Sequence, residues 1–427
     1  MSKVVIIGGG WAGVSAAVTA KNAGGDVLLL ERTEMLLGTG LVGGIMRNNG
    51  RFTATEENIA MGANEIFETV DATCRHTNIE FPGHKHASLY DIALIETAIK
   101  NLLLKKGIEI KFQARAKDVK LDGKRLQAVV LDNGEVVEGD VFIEATGSAG
   151  PMNNCIKYGN GCVMCVLRCP TFGGRVSIAE KMGIQEKIGQ KDGAMGAMSG
   201  SGKLLKESLA KEIVETLDRT GVAVIPVPKD MEKKEGALAK KACQQYALPA
   251  YAENIILLDT GHAKIMTPYY PLEELRRVPG FENARYEDPY SGGIGNSMRF
   301  LALSPRDNAL QVEGAENLFC CGEKAGLLVG HTEAIVTGSL AGYNAVRFAM
   351  GVAPLVLPES LAIGDAIAHV KEQMNTEEGL GLKFTFSGSV YFQRMQEKGL
   401  YVADKDEVKA RVEAAGMTGI FRKPIAN

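Results

Sequence analysis

Lys3-Val4-Val5-Ile6-Ile7-Gly8-Gly9-Gly10-Trp11-Ala12-Gly13 is the stretch that decides the fold. Its apolar beginning predicts a β-strand, its glycines predict a tight turn, and the Ala- and Val-rich residues 14–23 predict a helix. A second apolar run, residues 27–30, ends on Glu31 and predicts the next strand. Strand, glycine turn, helix and strand together form the context in which the G-x-G-x-x-G spacing predicts a dinucleotide site.

Each part of this stretch has a predicted task. Gly8 permits the tight turn, Gly10 lets the backbone approach a diphosphate, and Gly13 lets the helix pack closely on the strands. The amino end of the helix offers unpaired N–H groups and partial positive charge to the phosphates. Glu31 is placed to accept hydrogen bonds from a ribose 2′-hydroxyl. This first site alone fits NAD or FAD.

Two later stretches favour FAD. Residues 141–147 predict a buried strand that runs into a turn of small residues, and residues 317–323 predict a strand that ends on an acid. In this order along the chain, the stretches resemble the second and last landmarks of the FAD domain in flavoproteins with two dinucleotide-binding domains. The resemblance implies FAD, bound by a Rossmann-like α/β domain.

The most specific long stretch joins Gly322-Glu323 to residues 330–345, which contain Gly-His-Thr-Glu-Ala and end in Leu-Ala-Gly-Tyr-Asn-Ala. It resembles the folate- and FAD-dependent tRNA (uracil-5-)-methyltransferases (TrmFO) and their GidA relatives, as do residues 279–284. The resemblance implies hydride exchange at flavin N5, with methylenetetrahydrofolate as a one-carbon partner. NAD(P)H is the other co-substrate that we expect.

The sequence departs from that family in its cysteines. The family has a cysteine in a Cys-Ser-Asn-Ser-type segment after the first ribose-binding acid, whereas residues 42–50 contain none. Its second functional cysteine, in a Gly-Cys-Met-Pro segment, has no counterpart between Tyr251 and Gly280. We therefore interpret the chain as an FAD-dependent oxidoreductase. Folate-dependent tRNA uracil methylation is one alternative, and a flavin-holding electron-transfer or scaffold subunit is the other.

The predicted site residues lie in the fingerprint, at the ends of the predicted strands and in the C-terminal glycine loop. Glu323 can accept a hydrogen bond from a ribityl hydroxyl, and backbone N–H groups of residues 332–334 can face the flavin pyrimidine edge. His331 beside that edge is a catalytic candidate, with a structural role as the alternative. The predicted cofactor-binding set is Gly8, Gly10, Trp11, Ala12, Gly13, Glu31, Arg32, Gly44, Ala145, Thr146, Gly147, Gly322, Glu323, Gly330, His331, Thr332 and Ala334.

Four cysteines lie close together in the middle of the chain: Cys155, Cys162, Cys165 and Cys169. The run Cys162-x-x-Cys165-x-x-x-Cys169-Pro170 overlaps a ferredoxin ligand pattern, and Cys155 could supply a fourth thiolate. Our first interpretation is a metal site, either an iron–sulfur cluster or zinc. The next is a catalytic dithiol, Cys162/Cys165, that exchanges electrons with the flavin. Loop cysteines without a role are the remaining alternative.

Composition narrows the class of protein. Hydrophobic residues at 45% and charged residues at 23% are typical of a soluble globular chain. A formal charge of −3 gives no general reason to bind nucleic acid or an anionic membrane, although RNA stays an alternative partner. No apolar run approaches the length of a membrane span. We expect a cytoplasmic protein with reduced cysteines and a small-molecule substrate, folate under the family resemblance. It would be a homo-oligomer or would have an electron-transfer partner.

The length of 427 residues exceeds one ordinary domain. The expected units are a discontinuous FAD-binding domain (1–150 and 301–355), an inserted α/β substrate domain with the cysteines (151–300) and a C-terminal helical segment (356–427). Apolar spacing predicts helices over 56–72 and 88–106. Turn signals at Asp122-Gly123 and Asn133-Gly134 predict a β-meander between 116 and 139.

Overall fold

A parallel sheet forms the centre of the protein in the computed structural model. The structure describes residues 2–147, 175–191, 194–195, 197–198, 202–233, 248–266, 270–287, 298–299 and 301–425. This main sheet has five parallel strands, in the order Leu318–Cys320, Val141–Glu144, Lys3–Ile7, Asp26–Leu30 and Glu109–Lys111. Nearly every residue of its inner strands is buried, as expected for a parallel sheet covered on both faces. The carboxyl ends of all five strands share one edge, called the carboxyl edge below.

Two helices pack side by side along the main sheet: the opening helix, Trp11–Asn22, and the long helix, His331–Ala349. A Cβ at Gly338 would lie 2.2 Å from the Ala12 carbonyl oxygen, and one at Gly342 would lie 2.2 Å from that of Ala16. Glycine at these two positions therefore permits the close approach. Because the contacts advance together along both helices, the helices run parallel, and both begin at the carboxyl edge.

Three antiparallel sheets extend this core. Their strands are Lys203–Leu204, Ala263–Ile265, Asn254–Asp259 and Val222–Pro226 in the first, Ile45–Met46, His84–Tyr90 and Cys74–Phe81 in the second, and Ala116–Asp122, Arg125–Leu131 and Val136–Glu138 in the third. The first two share an apolar cluster in which Phe81 and Leu89 pack with Ile256 and Leu258. The third is the β-meander that the turn signals predict, and this prediction is confirmed.

The remaining elements are short. The helices are Gly40–Gly43, Gly50–Ala60, Glu65–Ala72, Ile95–Lys105, Ile178–Lys181, Lys211–Thr220, Pro249–Glu253, Leu272–Leu275, Ala362–Gln373, Glu377–Leu380, Ser389–Glu397 and Lys405–Ala414. Three two-stranded pairs join Lys187–Ile188 to Ala302–Leu303, Gln190–Lys191 to Ala194–Met195, and Ala197–Met198 to Met298–Arg299. Single 3₁₀ turns occur at Lys206–Ser208, Lys229–Met231, Gly322–Lys324 and Ile420–Arg422.

Two predicted helices differ from the observed ones. The segment predicted as helix 56–72 is part of two helices, separated at Gly62, whose φ of +100° is left-handed. The segment predicted as helix 88–106 begins as a strand, because residues 88–89 pair with Ile45–Met46. The helix starts only at Ile95, after Asp91 accepts a hydrogen bond from the N–H of Ala93 at 2.9 Å.

The predicted fold class, α/β with a Rossmann-like sheet, is confirmed. Residues of the C-terminal helices, such as Ala366 and Met395, belong to the same apolar core as the main sheet. The domain boundaries stay a prediction. Among the described helices, none combines the length and the apolar character that crossing a membrane requires.

Candidate functional site

The fingerprint glycines lie where the first strand of the main sheet meets the opening helix. Gly8 has a φ of +109°, and a Cβ there would meet the carbonyl oxygen of Ala145 at 2.5 Å. A Cβ at Gly13 would meet the carbonyl oxygen of Gly8 at 1.8 Å, so a larger residue would push the helix away from the turn. At Gly10, in contrast, no described atom lies within 4 Å of the Cβ position. The turn is closed towards the protein and open at Gly10.

The C-terminal glycine loop lies against the same turn. A Cβ at Gly322 would meet the Cβ of Ala12 at 2.9 Å, and the N–H of Cys321 donates to the carbonyl oxygen of Glu144 at 3.1 Å. Gly147, at the end of the neighbouring segment, has a φ of +70°. The structure therefore brings together predicted site residues that are far apart in sequence.

Both helices that begin at the carboxyl edge start with glycine. Gly10 is the N-cap of the opening helix and Gly330 that of the long helix, and neither helix has a side-chain cap within the described part of the chain. A Cβ at Gly330 would lie 2.0 Å from Oε2 of Glu333, which accounts for glycine there. Two such helix ends concentrate partial positive charge at this edge and favour an anion.

Glu31 follows the second strand of the main sheet and is buried. Its Oε2 accepts a hydrogen bond from the N–H of Gly9 at 2.8 Å, and its Oε1 accepts bonds from the N–H and hydroxyl of Thr33 at 2.8 and 2.9 Å. The carboxylate is thereby held beside the glycine turn. Oε2 keeps a lone pair for a further donor, such as a ribose hydroxyl. At Arg32, burial lowers the pKa, although Glu31 opposes this effect.

His331 is the first residue of the long helix and lies over residues 40–44. A Cβ at Gly43 would lie 1.6 Å from Cε1 of His331, so glycine is needed there. The Tyr90 hydroxyl donates to the carbonyl oxygen of Gly40 at 2.6 Å and lies 3.4 Å from Nδ1 of His331. Because a phenol has a single hydrogen, Nδ1–H is the donor in the longer contact. A neutral His331 then carries its acceptor lone pair on Nε2.

The first antiparallel sheet approaches the site from the other side. Thr260 contacts Gly44, where a Cβ would lie 2.3 Å from Thr260 Cγ2. Buried Lys264 donates a hydrogen bond from Nζ to the carbonyl oxygen of Val42 at 2.6 Å. The loop that precedes Gly44 is therefore packed between the carboxyl edge of the main sheet and the first antiparallel sheet.

A buried ion pair fixes the amino end of the long helix. Glu333 is fully buried, and both of its oxygens accept hydrogen bonds from Nε of Arg51 at 3.0 Å. The hydroxyl of Thr385 and the N–H of Phe386 donate to its Oε1 at 2.6 and 2.9 Å. These bonds connect the helix to the C-terminal region and hold its neighbour Thr332 in place.

A second group of buried charges lies where the 141–144 strand ends. Glu144 accepts hydrogen bonds from the N–H groups of Ile178 and Ala179, both at 2.9 Å, and lies 3.3 Å from Nζ of Lys324. Lys324 also pairs with Glu186. Burial would raise the pKa of Glu144, but Lys324 and Arg175 hold it below its ordinary value. Burial lowers the pKa of Lys324 to about 8, although Glu144 opposes this.

The described cysteines are poorly suited to nucleophilic chemistry. Cys320 and Cys321 are fully buried at the end of the 318–320 strand, and burial raises both thiol pKa values well above their ordinary value. At Cys74 burial raises the pKa to about 12. A thiolate is the reactive form, so none of these three thiols is activated as a nucleophile. Cys320 and Cys321 are core residues, whereas Cys74 is partly buried. The predicted metal ligands and dithiol, Cys155, Cys162, Cys165 and Cys169, lie outside the described residues. Within the described residues no group of potential ligands could hold a metal ion.

Several residues of this edge are missing from the sequence-based set. Tyr90, Arg51 and Lys324 act through partners that lie far away in the chain, so no local spacing reveals them. Glu144 and Glu333 stand inside quoted stretches, and a charged residue in a strand or helix predicted to be buried is a usable signal for a hidden partner.

Two models of known protein families match segments of this chain. Residues 3–152 match the family described as FAD dependent oxidoreductase, and residues 259–353 match the family of glucose inhibited division protein A. The two matched segments contain the fingerprint at one end and the C-terminal glycine loop at the other. Both matches are thus to flavoprotein-type families, and the first is to FAD-dependent oxidoreductases.

The individual proteins to which this chain is similar include TrmFO proteins and GidA. Methylenetetrahydrofolate–tRNA-(uracil-5-)-methyltransferase TrmFO of Thermus thermophilus is 33% identical over 99 residues, which are 22% of this chain and 21% of that protein. Its counterpart in Bacillus cereus is 29% identical over 145 residues, which are 33% of this chain and 29% of that protein. The predicted resemblance is confirmed: this is a TrmFO/GidA-like FAD-dependent protein. The matches span only about a fifth to a third of those relatives.

Among solved structures, Aquifex aeolicus GidA in its form II crystal superimposes with a TM-score of 0.68. The superposition covers 99% of this chain and 74% of the GidA chain, at 15% identity. At this identity the likeness concerns the fold alone.

Proposed function

We propose that the chain binds FAD at the carboxyl edge and exchanges hydride between flavin N5 and a small-molecule substrate. The observation that carries the proposal is the convergence of Gly10, Glu31 and Gly322 on one edge that also holds two glycine-capped helix ends. When bound, the flavin supplies the redox chemistry, and the protein supplies binding and electrostatics.

Each part of FAD can be assigned to a group of residues at this edge. The opening helix would take the diphosphate next to Gly10, and Glu31 would take the ribose hydroxyls of the adenosine half. Glu323 would accept from the ribityl chain, and the N–H groups at Thr332–Ala334 would face the pyrimidine edge. That helix end stabilises negative charge when the ring is reduced.

His331 is the proposed acid–base residue of the site. Tyr90 fixes the orientation of its ring from the Nδ1 side, so Nε2 is the nitrogen that would exchange a proton with substrate. Its place on the first turn of the long helix puts it beside the proposed pyrimidine-edge site.

The test is anaerobic bleaching of the bound flavin. Purified yellow protein is mixed with NADPH, NADH or methylenetetrahydrofolate, and the flavin absorbance is followed. Reduction by one of these with turnover on reoxidation supports the proposal and identifies the hydride donor. Protein that stays colourless after incubation with FAD refutes it. Gel filtration of the same sample tests the predicted homo-oligomer.

We do not propose methyl transfer to RNA as the function, although the names of the relatives include tRNA. Residues 42–50 offer no thiol, and in the structure Arg47 of this loop pairs with Glu56 and Asp71, a structural arrangement. None of the three described cysteines is poised as a nucleophile. A folate-dependent methyl product on tRNA, with strongly salt-sensitive RNA binding, would contradict this choice.

A flavin-linked electron-transfer protein is the second candidate. One observation favours it: described residues on both sides of the stretch that carries the four cysteines donate hydrogen bonds to Glu144. Thr146 donates a hydrogen bond to Glu144 at 2.9 Å just before that segment, and Ile178 and Ala179 do so just after it. The described residues that flank this stretch thus lie at the carboxyl edge, where the flavin is proposed.

Metal analysis distinguishes the possible roles of the four cysteines in this electron-transfer protein. Iron with acid-labile sulfide in anaerobically purified protein indicates a cluster, zinc indicates a structural site, and neither indicates at most a dithiol. If thiol titration also shows no two-electron change on flavin reduction, the cysteines take no part in electron transfer.

A further inference from the structure

Two buried arginines of this protein differ in how their nitrogens are used. Arg306 donates from Nε, Nη1 and Nη2 to the carbonyl oxygens of Ala325, Asp307 and Ile367 at 2.7, 3.1 and 2.9 Å. The side chain of Arg175 is 8% exposed and donates from Nη2 to Glu186 at 3.0 Å. Its Nε and Nη1 are buried and have no hydrogen-bond partner among the described residues.

Such an arrangement needs an additional acceptor. A buried donor without a partner is unfavourable, and more so when the group is charged. Nearby acids do not meet this need: Glu186 uses the other nitrogen, and Glu144 is engaged by Lys324 and by two backbone N–H groups. Burial lowers the pKa of Arg175, although Glu144, Glu180 and Glu323 oppose this.

Arg175 is also close to the proposed cofactor. It stands two residues before Ser177, the N-cap of the short helix whose first N–H groups bind Glu144 at the carboxyl edge. Glu323 is near enough to affect its charge, and Gly322 lies against Ala12 in the first turn of the opening helix. These neighbours place Arg175 at the same edge of the main sheet as the helix end at which the diphosphate is proposed.

We propose that Arg175 binds the diphosphate of FAD, whose oxygens accept hydrogen bonds from its Nε and Nη1. The diphosphate is the anionic part of FAD, and the planar guanidinium fork matches phosphate oxygens better than any other side chain. The diphosphate would then be held between the opening helix on one side and Arg175 on the other. This inference rests on the proposed function, because it assumes FAD at the carboxyl edge.

The experiment compares two arginine variants of the full chain. Arg175→Met removes the fork but leaves Glu186 paired with Lys324. Arg394→Met is the matched control, because Arg394 also shares a buried carboxylate, Asp365, with a lysine, Lys398, away from the site. Protein freed of flavin is titrated with FAD, and ADP is titrated in competition. The melting temperature of each variant is recorded.

Arg175→Met should raise the Kd of FAD about ten- to a hundredfold and that of ADP by a similar factor, since both carry the diphosphate. Arg394→Met should leave both within about twofold. Unchanged affinities, or a loss for FAD alone, would overturn the role at the diphosphate. Wild-type protein that fails to bind FAD would instead refute the proposed function. If Arg175→Met does not fold, Arg175→Lys should show the same joint loss to a smaller extent.

Discussion

Two helices in this protein differ in what lies next to the free N–H groups at their amino ends. At the start of helix 362–373, the carboxylate of Glu57 accepts hydrogen bonds from the N–H groups of Ala362 and Ile363 at 2.8 and 3.0 Å. At the start of the opening helix, the N-cap is Gly10, and the space beside it is open within the described structure. Both ends carry the same backbone charge, but only the first is filled by an acid of the protein.

The difference shows how a protein reserves a place for an external anion. A helix end attracts negative charge wherever it lies. Glu57 shows the internal solution, in which the oxygens of a carboxyl side chain accept hydrogen bonds from these N–H groups and the end becomes part of the core. A glycine cap provides no side chain, so the N–H groups stay available to a diphosphate. Four substitutions test this comparison.

Gly13→Ala should have the largest effect on stability and FAD binding, because it disturbs the packing of the opening helix against the glycine turn. The new Cβ would lie 1.8 Å from the carbonyl oxygen of Gly8, a backbone atom that cannot move aside. We expect a loss of about 3 kcal/mol in the free energy of unfolding and loss of FAD binding. Urea denaturation and flavin content measure both. Gly381→Ala is the control, because the nearest atom to its Cβ position is 3.1 Å away and its φ is −76°. Equal stability of Gly13→Ala and wild type would contradict the close packing.

Glu57→Gln tests the filled helix end through pH. Burial raises the pKa of Glu57 to about 7 from an ordinary value of 4.5. The folded protein therefore holds this proton more tightly than the unfolded chain. Its contribution to stability is present below about pH 4.5 and is lost as pH rises towards 7. The loss amounts to at most about 3 kcal/mol.

The measurement is the difference in unfolding free energy between wild type and Glu57→Gln, from pH 4.5 to 8. This difference should fall as pH rises. Burial lowers the pKa of His84 to about 3 and acts in the opposite direction, but it does so in both proteins and cancels. Exposed Glu359→Gln is the control. A difference that does not change with pH would show that Glu57 is ionised throughout.

Gly10→Ala tests the open helix end itself. Its Cβ position is free of described atoms and its φ is −70°, so the variant should fold with a stability change below about 1 kcal/mol. The methyl group would occupy space next to the N–H groups that receive the diphosphate. We expect FAD affinity to fall about ten- to a hundredfold. Titration of FAD into Gly10→Ala and into Arg125→Met, a variant at the opposite edge of the main sheet, measures this. Unaltered affinity would mean that the diphosphate does not approach Gly10.

The main sheet and the fingerprint could be predicted from the sequence because the patterns that indicate them are local. Strand, turn, helix and strand follow each other within residues 3–31, and glycine spacing needs no knowledge of the rest of the chain. Residues 88–90 show the limit. Leu89 fits a helical apolar pattern, yet it lies in a strand whose pairing with Ile45 and packing with Ile256 depend on distant segments.

The buried charges of the site could not be predicted for the same reason. Lys324 meets Glu144 and Glu186, and Arg51 meets Glu333, only after the chain has folded. Each of these residues looks like a surface residue in isolation. The positions of the predicted cofactor residues could be inferred from the order of landmarks, but the groups that hold them could not.

Tyr90→Phe extends the comparison to the second open helix end, with the smallest expected effect. Tyr90 donates to Gly40 at 2.6 Å and receives the longer contact from Nδ1 of His331, which begins the long helix. Without the hydroxyl, the ring loses the hydrogen-bond acceptor that Tyr90 offers to Nδ1. The rate of flavin reduction should fall by up to about tenfold. Nitrogen-15 NMR of labelled histidine reads the tautomer directly. Tyr251→Phe removes a similar phenol bond, to the carbonyl oxygen of Pro82, and should change neither. An unchanged His331 signal in Tyr90→Phe would show that the helix end alone sets the state of this ring.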